Sequence, residues 1–261
     1  MTTTIQNPVL ANLLRARQEP LPAKIAEFTR PVEEVIKNQD AAEQALESAL
    51  WAAWGDVVLV ASETRHEEQG HLVDFVKQVS MREGPQQING ASAQLWGQPV
   101  EWKRLSMLGP TLRAFWNMNP DTQEDALKWK NLNAFVARLT ALSSTPGDAF
   151  DFSLYGIWAL RSALESRFSP NQSLFVQTAG LWMLYASDVL EERSRQGQMF
   201  EGKSAKQGDA KELDSKEWRG LCWDRWEFWV KRFKDLEEWS EGSVRELVKK
   251  AASKMEAERQ N

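Results

Sequence analysis

Cysteine and histidine are scarce in this chain of 261 residues, which contains one cysteine and two histidines. The single cysteine, Cys222, cannot form an internal disulfide bond, and this agrees with a reducing compartment. A nucleophilic Cys222 would need a histidine as its base, and both histidines lie far away in the sequence. We therefore predict that Cys222 is a small buried hydrophobic residue rather than a catalytic one.

The two histidines, His66 and His71, do not have the spacing of a metal site. Zinc protease helices place their histidines four residues apart, whereas a separation of five points the side chains to different faces. Glu68 and His71 form one Glu-x-x-His motif, but a di-iron bundle needs two such motifs and further carboxylates. The sequence also lacks the clustered aspartates of a magnesium site, so we predict that the chain binds no metal.

Phosphate loops, a basic surface and a targeting segment are missing as well. The chain has neither Gly-x-Gly-x-x-Gly nor Gly-Lys-Ser/Thr, which excludes the familiar nucleotide cofactors, and we predict no cofactor at all. A net charge of −5 with both signs interspersed disfavours nucleic acid as a partner. Residues 1–10 lack a signal pattern, and polar residues interrupt the longest apolar stretch, 174–190. We expect a cytoplasmic protein without a membrane partner.

Tryptophan is abundant, with 13 residues, and apolar residues recur at spacings of three and four from end to end. This period is typical of helices, and no strand alternation persists. We predict one all-α domain over residues 1–261, an irregular array of about eight helices. The predicted helices cover residues 40–61, 69–81, 105–116, 121–142, 150–168, 171–196, 214–238 and 243–258.

Three of these helix starts carry the spacing of a capping box, in which an N-cap oxygen and a carboxylate three residues later bind free backbone amides. The pairs are Asp121 with Glu124, Asp214 with Glu217, and Ser243 with Glu246. Residues 194–215 are polar and contain few large apolar side chains, so they cannot bury enough surface to order themselves fully. We predict that they form a mobile insertion within the single domain.

Several polar side chains lie where the helical period places core residues. Asn131 and Arg138 share an apolar row on one predicted helix, and Arg161 lies in the apolar row of the next. A guanidinium cannot lose its proton in a protein, so a buried one must be paired. Glu165 is one helical turn from Arg161, and we predict that it neutralises this charge. The short connection 143–149 predicts antiparallel neighbours, which brings these residues together.

Aromatic residues near this polar cluster could form the walls of a ligand pocket, because such pockets are mostly apolar with a few convergent polar groups. The predicted ligand-binding residues are Arg113, Trp116, Trp129, Tyr155, Trp158, Trp182 and Tyr185. The alternative is a satisfied core network that fixes helix register, with the aromatic residues as ordinary core.

Five segments carry a resemblance to a known family: 113–117, 129–139, 155–165, 179–182 and 223–229. The second reads Trp-x-Asn-Leu-Asn-Ala-Phe-x-Ala-Arg-Leu. Together they resemble a fungal family of helical proteins known only as a domain of unknown function, over residues 41–255. The resemblance implies an intracellular fungal protein and supplies no activity, ligand or catalytic residue. It also implies that the stretch 194–215 is variable and carries nothing essential.

With metals, nucleotides and nucleophiles excluded, an enclosing aromatic cavity and well-placed charges are the catalytic means that remain. We predict a cofactor-independent cyclase or isomerase, or a binder, for a hydrophobic small molecule of fungal secondary metabolism. In this hypothesis Arg161 and Arg138 polarise a carbonyl group and Asn131 orients it. Glu165 then holds Arg161 or relays a proton.

The alternative function is a non-catalytic helical scaffold for protein interactions, and the sequence leaves a homo-oligomer open in both cases. The two hypotheses differ in what they expect of the interior. An enclosed cavity bordered by the residues named above, with a volume of about 300 to 1,000 Å³, favours the small-molecule hypothesis. A solid interior favours the scaffold.

Overall fold

The computed structural model describes residues 4–38, 43–85, 92–167 and 172–257. Within these ranges ten α-helices account for most of the chain, accompanied by one two-stranded antiparallel sheet. The predicted all-α class is confirmed, with a helix count slightly above eight. The chain divides into two compact units between Leu132 and Asn133, so the boundary falls inside a helix. The single domain over residues 1–261 stays a prediction.

Unit 1 contains five complete helices, the start of a sixth and the small sheet. These elements are α1 (Pro8–Arg15), α2 (Leu21–Lys37), α3 (Glu43–Glu63), α4 (Gly70–Ser80), α5 (Leu108–Phe115), the first part of α6 (Gln123–Thr140), β1 (Gln94–Leu95) and β2 (Gln98–Pro99). Helices α1 and α2 were not predicted from the sequence. Pro31 lies inside α2, where proline usually ends a helix, and α1 has only 8 residues.

Aromatic side chains form the centre of unit 1. The ring of Phe28 on α2 lies 4.6 Å from Trp54, 5.4 Å from Phe75 and 5.5 Å from Trp102, measured between centroids. All four rings are buried, and the indole N–H of Trp54 donates to the carbonyl oxygen of Ser106 at 2.8 Å. These edge-on contacts join α2, α3 and α4 into one core, because large rings bury much apolar surface.

Helix α3 passes through this core as its longest member. Among the residues described, α3 is the one helix that is long and apolar enough to cross a membrane. However, 61% of its most apolar window is buried. Its apolar surface is therefore largely covered by unit 1 itself.

Unit 2 is built around the long helix α8. Its elements are the end of α6, α7 (Ser153–Leu160), a π-helical turn (Arg161–Glu165), α8 (Gln172–Gln196), α9 (Trp223–Trp239) and α10 (Gly242–Ala257). Gly156 of α7 and Gly180 of α8 allow α8 to pack closely against its neighbouring helices. A Cβ atom on Gly156 of α7 would lie 3.0 Å from the ring of Trp182, and one on Gly180 would lie 2.9 Å from Leu247 of α10.

Several predicted helix boundaries are wrong or displaced. Helix α9 begins at Trp223 rather than at residue 214, and residues 211–213 form a separate 3₁₀ turn. The N-cap of α6 is Thr122, whose hydroxyl accepts the backbone N–H of Asp125 at 3.1 Å, one residue later than predicted. Helix α10 already includes residue 243, so Ser243 is not its N-cap. The predicted boundaries at residues 40, 168, 171 and 258 lie outside the described ranges.

Alanine substitutions at two helical glycines should have opposite effects on stability. Gly156→Ala should destabilise the protein by about 1–3 kcal/mol, because the added methyl group meets a buried indole that cannot move away. Trp182 is held by a 2.9 Å hydrogen bond from its N–H to Asn133 Oδ1. Gly55→Ala on α3 meets no atom within 4 Å and should stabilise by about 0.5–1 kcal/mol. Urea unfolding of the three proteins measures both, and a Gly156→Ala protein as stable as the wild type would contradict the packing described.

Candidate functional site

A carboxylate and a guanidinium are completely buried in unit 2. Glu165 ends the π-helical turn, Arg225 lies in the first turn of α9, and the exposed fraction of both side chains is 0%. Arg225 Nε lies 2.7 Å from Glu165 Oε1, and Nη2 lies 3.0 Å from Oε2. This two-point geometry is the strong form of an arginine–carboxylate pair. The cation that neutralises Glu165 is therefore Arg225.

The remaining hydrogen-bonding positions of this ion pair are also filled. Glu165 Oε1 accepts the indole N–H of Trp229 at 2.6 Å, and Oε2 accepts the backbone N–H of Gly208 at 2.8 Å. Arg225 Nη1 donates to the carbonyl oxygens of Ala205 and Gly220, each at 2.8 Å. An ionised carboxylate offers about four acceptor positions. Four N–H groups occupy those of Glu165, which leaves no position for a substrate.

The predicted pairing of Arg161 with Glu165 is corrected by this arrangement. Arg161 is half-buried, and its Nη1 donates to the carbonyl oxygens of Ser204 at 3.1 Å and Lys206 at 3.0 Å. Burial and the charge of Arg225 lower the pKa of Arg161, and the charge of Glu165 opposes this change. The prediction assumed a regular α-helix, in which residues four apart are neighbours. A π-helical turn and a partner from α9 replace that local pairing.

The stretch 194–215 supplies most of the backbone groups in this cluster. Ser204, Ala205 and Lys206 provide carbonyl oxygens, and Gly208 provides its N–H. A Cβ atom on Gly208 would lie 2.2 Å from the carbonyl oxygen of Glu165, so no side chain fits there. The mobility of this stretch stays a prediction. Its backbone nevertheless completes the shell of the buried ion pair.

The other predicted residues of unit 2 form pairwise contacts. Trp158 donates its indole N–H to the carbonyl oxygen of Ser204 at 2.8 Å, which brings it to the same acceptor as Arg161. The ring of Tyr155 lies 4.9 Å from that of Trp158. The guanidinium carbon of Arg138 lies 3.8 Å from the ring centroid of Tyr185, a cation–π distance. Trp182, described above, is fully buried in the core.

Four of the predicted residues belong to unit 1 and seven to unit 2. In unit 1, Asn131 is buried and donates its amide N–H to the carbonyl oxygen of Ser62 at 2.9 Å. The rings of Trp116 and Trp129 lie 4.8 Å apart, and Arg113 is exposed. The contacts described for the four residues lie within unit 1, and those described for the other seven lie within unit 2. Asn131 holds α6 against the end of α3.

A cavity of about 590 Å³ lies in unit 1, and none of the eleven predicted residues borders it. One face of α3 forms its longest wall, with positions spaced three and four apart. The lining residues are Glu47, Ser48, Trp51, Ala52, Gly55, Asp56 and Leu59 from α3, Ala114, Phe115, Asn117 and Met118 at the end of α5, and Thr4 and Gln6 before α1.

Small residues on α3 create the space, since Ala52 and Gly55 leave room between the larger side chains. A Cβ atom on Gly55 would meet no other atom within 4 Å. Trp51, Phe115 and Met118 are partly buried and give the cavity apolar walls. Gln6 and Asn117 are exposed, so the cavity opens to solvent beside them.

Asp56 is the buried charge of this cavity, with 1% of the residue exposed. Its Oδ1 accepts the backbone N–H of Gln6 and its Oδ2 that of Asn7, both at 2.7 Å. The carboxylate thereby holds the chain at the N-cap of α1. Burial raises the pKa of Asp56, and the two backbone N–H groups oppose this only in part.

This cavity was not predicted, although the sequence of α3 carries a signal for it. The large apolar row of α3, Leu46, Leu50 and Trp54, packs into the core. The other face of the same helix combines acidic and small residues, and a core helix has little reason to carry an aspartate beside a glycine. That combination could have identified Asp56 and Gly55.

Metal ligands do not converge in the described part of the chain: no three histidine, cysteine, aspartate or glutamate side chains there could hold an ion together. The two ring nitrogens of His71 each lie 2.9 Å from a backbone carbonyl oxygen, those of Glu68 and Leu14. His71 therefore fastens the end of α1 to α4.

The profile of a family described as a protein of unknown function, DUF3632, matches residues 54–233. The chain belongs to this family. No curated protein and no solved structure matches this chain. The buried ion pair lies inside the DUF3632 range, whereas the cavity is divided, with Gly55 and Asp56 inside it and Glu47 and Trp51 before its start.

Methionine substitutions distinguish the buried cation from the half-buried one. Arg225→Met should lower the free energy of unfolding by about 3–5 kcal/mol, because Glu165 keeps a buried charge without a counter-ion. Arg161→Met removes hydrogen bonds to two carbonyl groups at a half-buried site and should cost about 1–2 kcal/mol. Chemical denaturation of both variants gives the comparison. A larger loss for Arg161→Met would restore the pairing that the sequence suggested.

Proposed function

We propose that this DUF3632 protein binds a hydrophobic small molecule in the cavity of unit 1. The observation that carries the proposal is the cavity itself, about 590 Å³ in volume. Ligand pockets of proteins measure about 300–1,000 Å³, so a molecule of drug-like size fits. The walls belong to two helices and not to loops alone, which suits a site that keeps its shape when empty.

The lining has the composition of a ligand site. Trp51, Phe115 and Met118 supply apolar surface, while Asp56 and Asn117 supply hydrogen-bonding groups at separate points. Apolar walls with a few polar groups orient a ligand, because the polar groups reject poses that leave them unpaired.

We assign the cluster of Arg161 and Glu165 a structural role instead of the predicted catalytic one. The acceptor positions of Glu165 are filled, and Arg161 donates to two backbone carbonyl groups. A polarising group must have a donor directed at the substrate, and a general base needs a free lone pair. We therefore propose a binding protein and not a cyclase or isomerase. We also propose a fungal origin, a cytoplasmic location and a secondary metabolite as the ligand.

The interaction scaffold is the second candidate, and two exposed tryptophans favour it. Trp96 between β1 and β2 is 58% exposed, and Trp239 at the end of α9 is 82% exposed. Tryptophan is enriched at the energetic centres of protein interfaces. Under this candidate, alanine at either position should abolish self-association or partner binding while the ligand cavity is unaffected, which analytical ultracentrifugation of the variants would measure for a homo-oligomer.

Filling the cavity should abolish binding of a hydrophobic probe. In Gly55→Phe the new ring enters the space that the glycine leaves open, so the affinity for neutral 2-naphthylmethanol should fall at least about tenfold. Gly55→Ala is the matched control, because it changes the same position and leaves most of the volume. Isothermal titration calorimetry measures both. Equal binding by wild type and Gly55→Phe would place the probe elsewhere and contradict the proposal.

A further inference from the structure

We infer that the ligand of this cavity carries a positive charge: a hydrophobic amine or quaternary ammonium ion whose cationic group lies against Asp56. The inference rests on the proposed binding function and adds the chemical class of the ligand. It follows from the charges of the lining, from the open acceptor positions of one buried carboxylate and from the aromatic residues of the same lining.

The described lining of the cavity is charged with one sign only. Glu47 and Asp56 are its ionisable residues, and it includes no lysine, arginine or histidine. An anionic ligand would bring like charges together in a partly desolvated space, which is unfavourable. A neutral ligand would leave both carboxylates without a counter-charge. A cationic ligand neutralises them.

Asp56 has no counter-ion among the described residues, and a cationic ligand would supply one. In the described part of the chain, no basic side chain lies within ion-pair distance of its carboxylate, and its hydrogen bonds are the two from backbone N–H groups. Arg15, whose charge acts on Asp56 from a distance, binds Glu63 at 2.6 Å instead. About two of the four acceptor positions of the carboxylate therefore stay open. A buried charge in this state is costly until it is paired.

Trp51 gives the lining of this cavity an aromatic side chain. It lies one helical turn after Glu47 and one turn before Gly55, on the face of α3 that lines the cavity. Indole is the best aromatic partner for a cation, and aromatic walls with carboxylates are the usual means of recognising quaternary ammonium groups. The apolar Phe115 and Met118 on the facing wall suit the hydrophobic remainder of the ligand.

A charge series on one hydrophobic group tests this inference with the full chain. The probes are the naphthylmethyl trimethylammonium ion, neutral 2-naphthylmethanol and the naphthylacetate anion. We expect the cation to bind about tenfold more tightly than the neutral probe, because it alone brings a counter-charge to the buried carboxylate of Asp56. We expect the anion to bind most weakly. Titration calorimetry in low salt gives the three dissociation constants.

Two variants and one control locate the preference. Asp56→Asn and Glu47→Gln should each reduce the preference for the cation, with the larger reduction for the buried Asp56. Asp74→Asn removes an exposed carboxylate of α4 outside the cavity lining and should leave it unchanged. Asn at position 56 can accept only one of the two backbone N–H groups, so its folding is checked by circular dichroism. If it does not fold, the wild-type charge series and Glu47→Gln decide.

The outcomes separate the two proposals. Equal binding of cation and neutral probe, both lost in Gly55→Phe, would overturn the inference about charge and leave the binding function standing. Binding of none of the three probes would overturn both. A cation preference that survives Asp56→Asn and Glu47→Gln would also overturn the inference, because the charge would then be recognised elsewhere.

Discussion

A carboxylate buried in a helical core must find donors for its lone pairs, and this constraint separates the centres at Glu165 and Asp56. Glu165 receives four N–H groups, two of them from Arg225, and is complete. Asp56 receives two N–H groups and no counter-ion from the residues described. The first centre can only hold structure together. The second keeps open acceptor positions on its carboxylate beside the cavity of unit 1.

The complete centre explains how a polar stretch of chain is held to unit 2. Ser204 to Gly208 contain few apolar groups to bury, but their backbone atoms satisfy Arg225, Arg161 and Glu165. Such a network gives little net stabilisation over an apolar core, yet it is strongly destabilised when one member is removed. It therefore fixes one arrangement of α9 against the π-helical turn.

The sequence was sufficient for features that depend on local periodicity. The helical class and the position of α8 over residues 172–196 followed from apolar spacing, since each turn of a packed helix repeats the pattern. Features set by distant residues did not follow. Arg225 reaches Glu165 across 60 positions, which no local spacing reveals. The core aromatics around Phe28 hold α2 helical despite Pro31. A cavity depends on which helix faces do not pack against each other.

The account depends most on the carboxyl group of Asp56 and its response to a cation. Carbon-13 NMR of that carboxyl group, titrated with pH in the absence and presence of the naphthylmethyl trimethylammonium ion, measures its pKa directly. Burial raises this pKa in the free protein, and an adjacent positive charge favours the ionised form. We predict that the bound cation lowers the pKa of Asp56. An unchanged or raised pKa at saturation would contradict the proposed site.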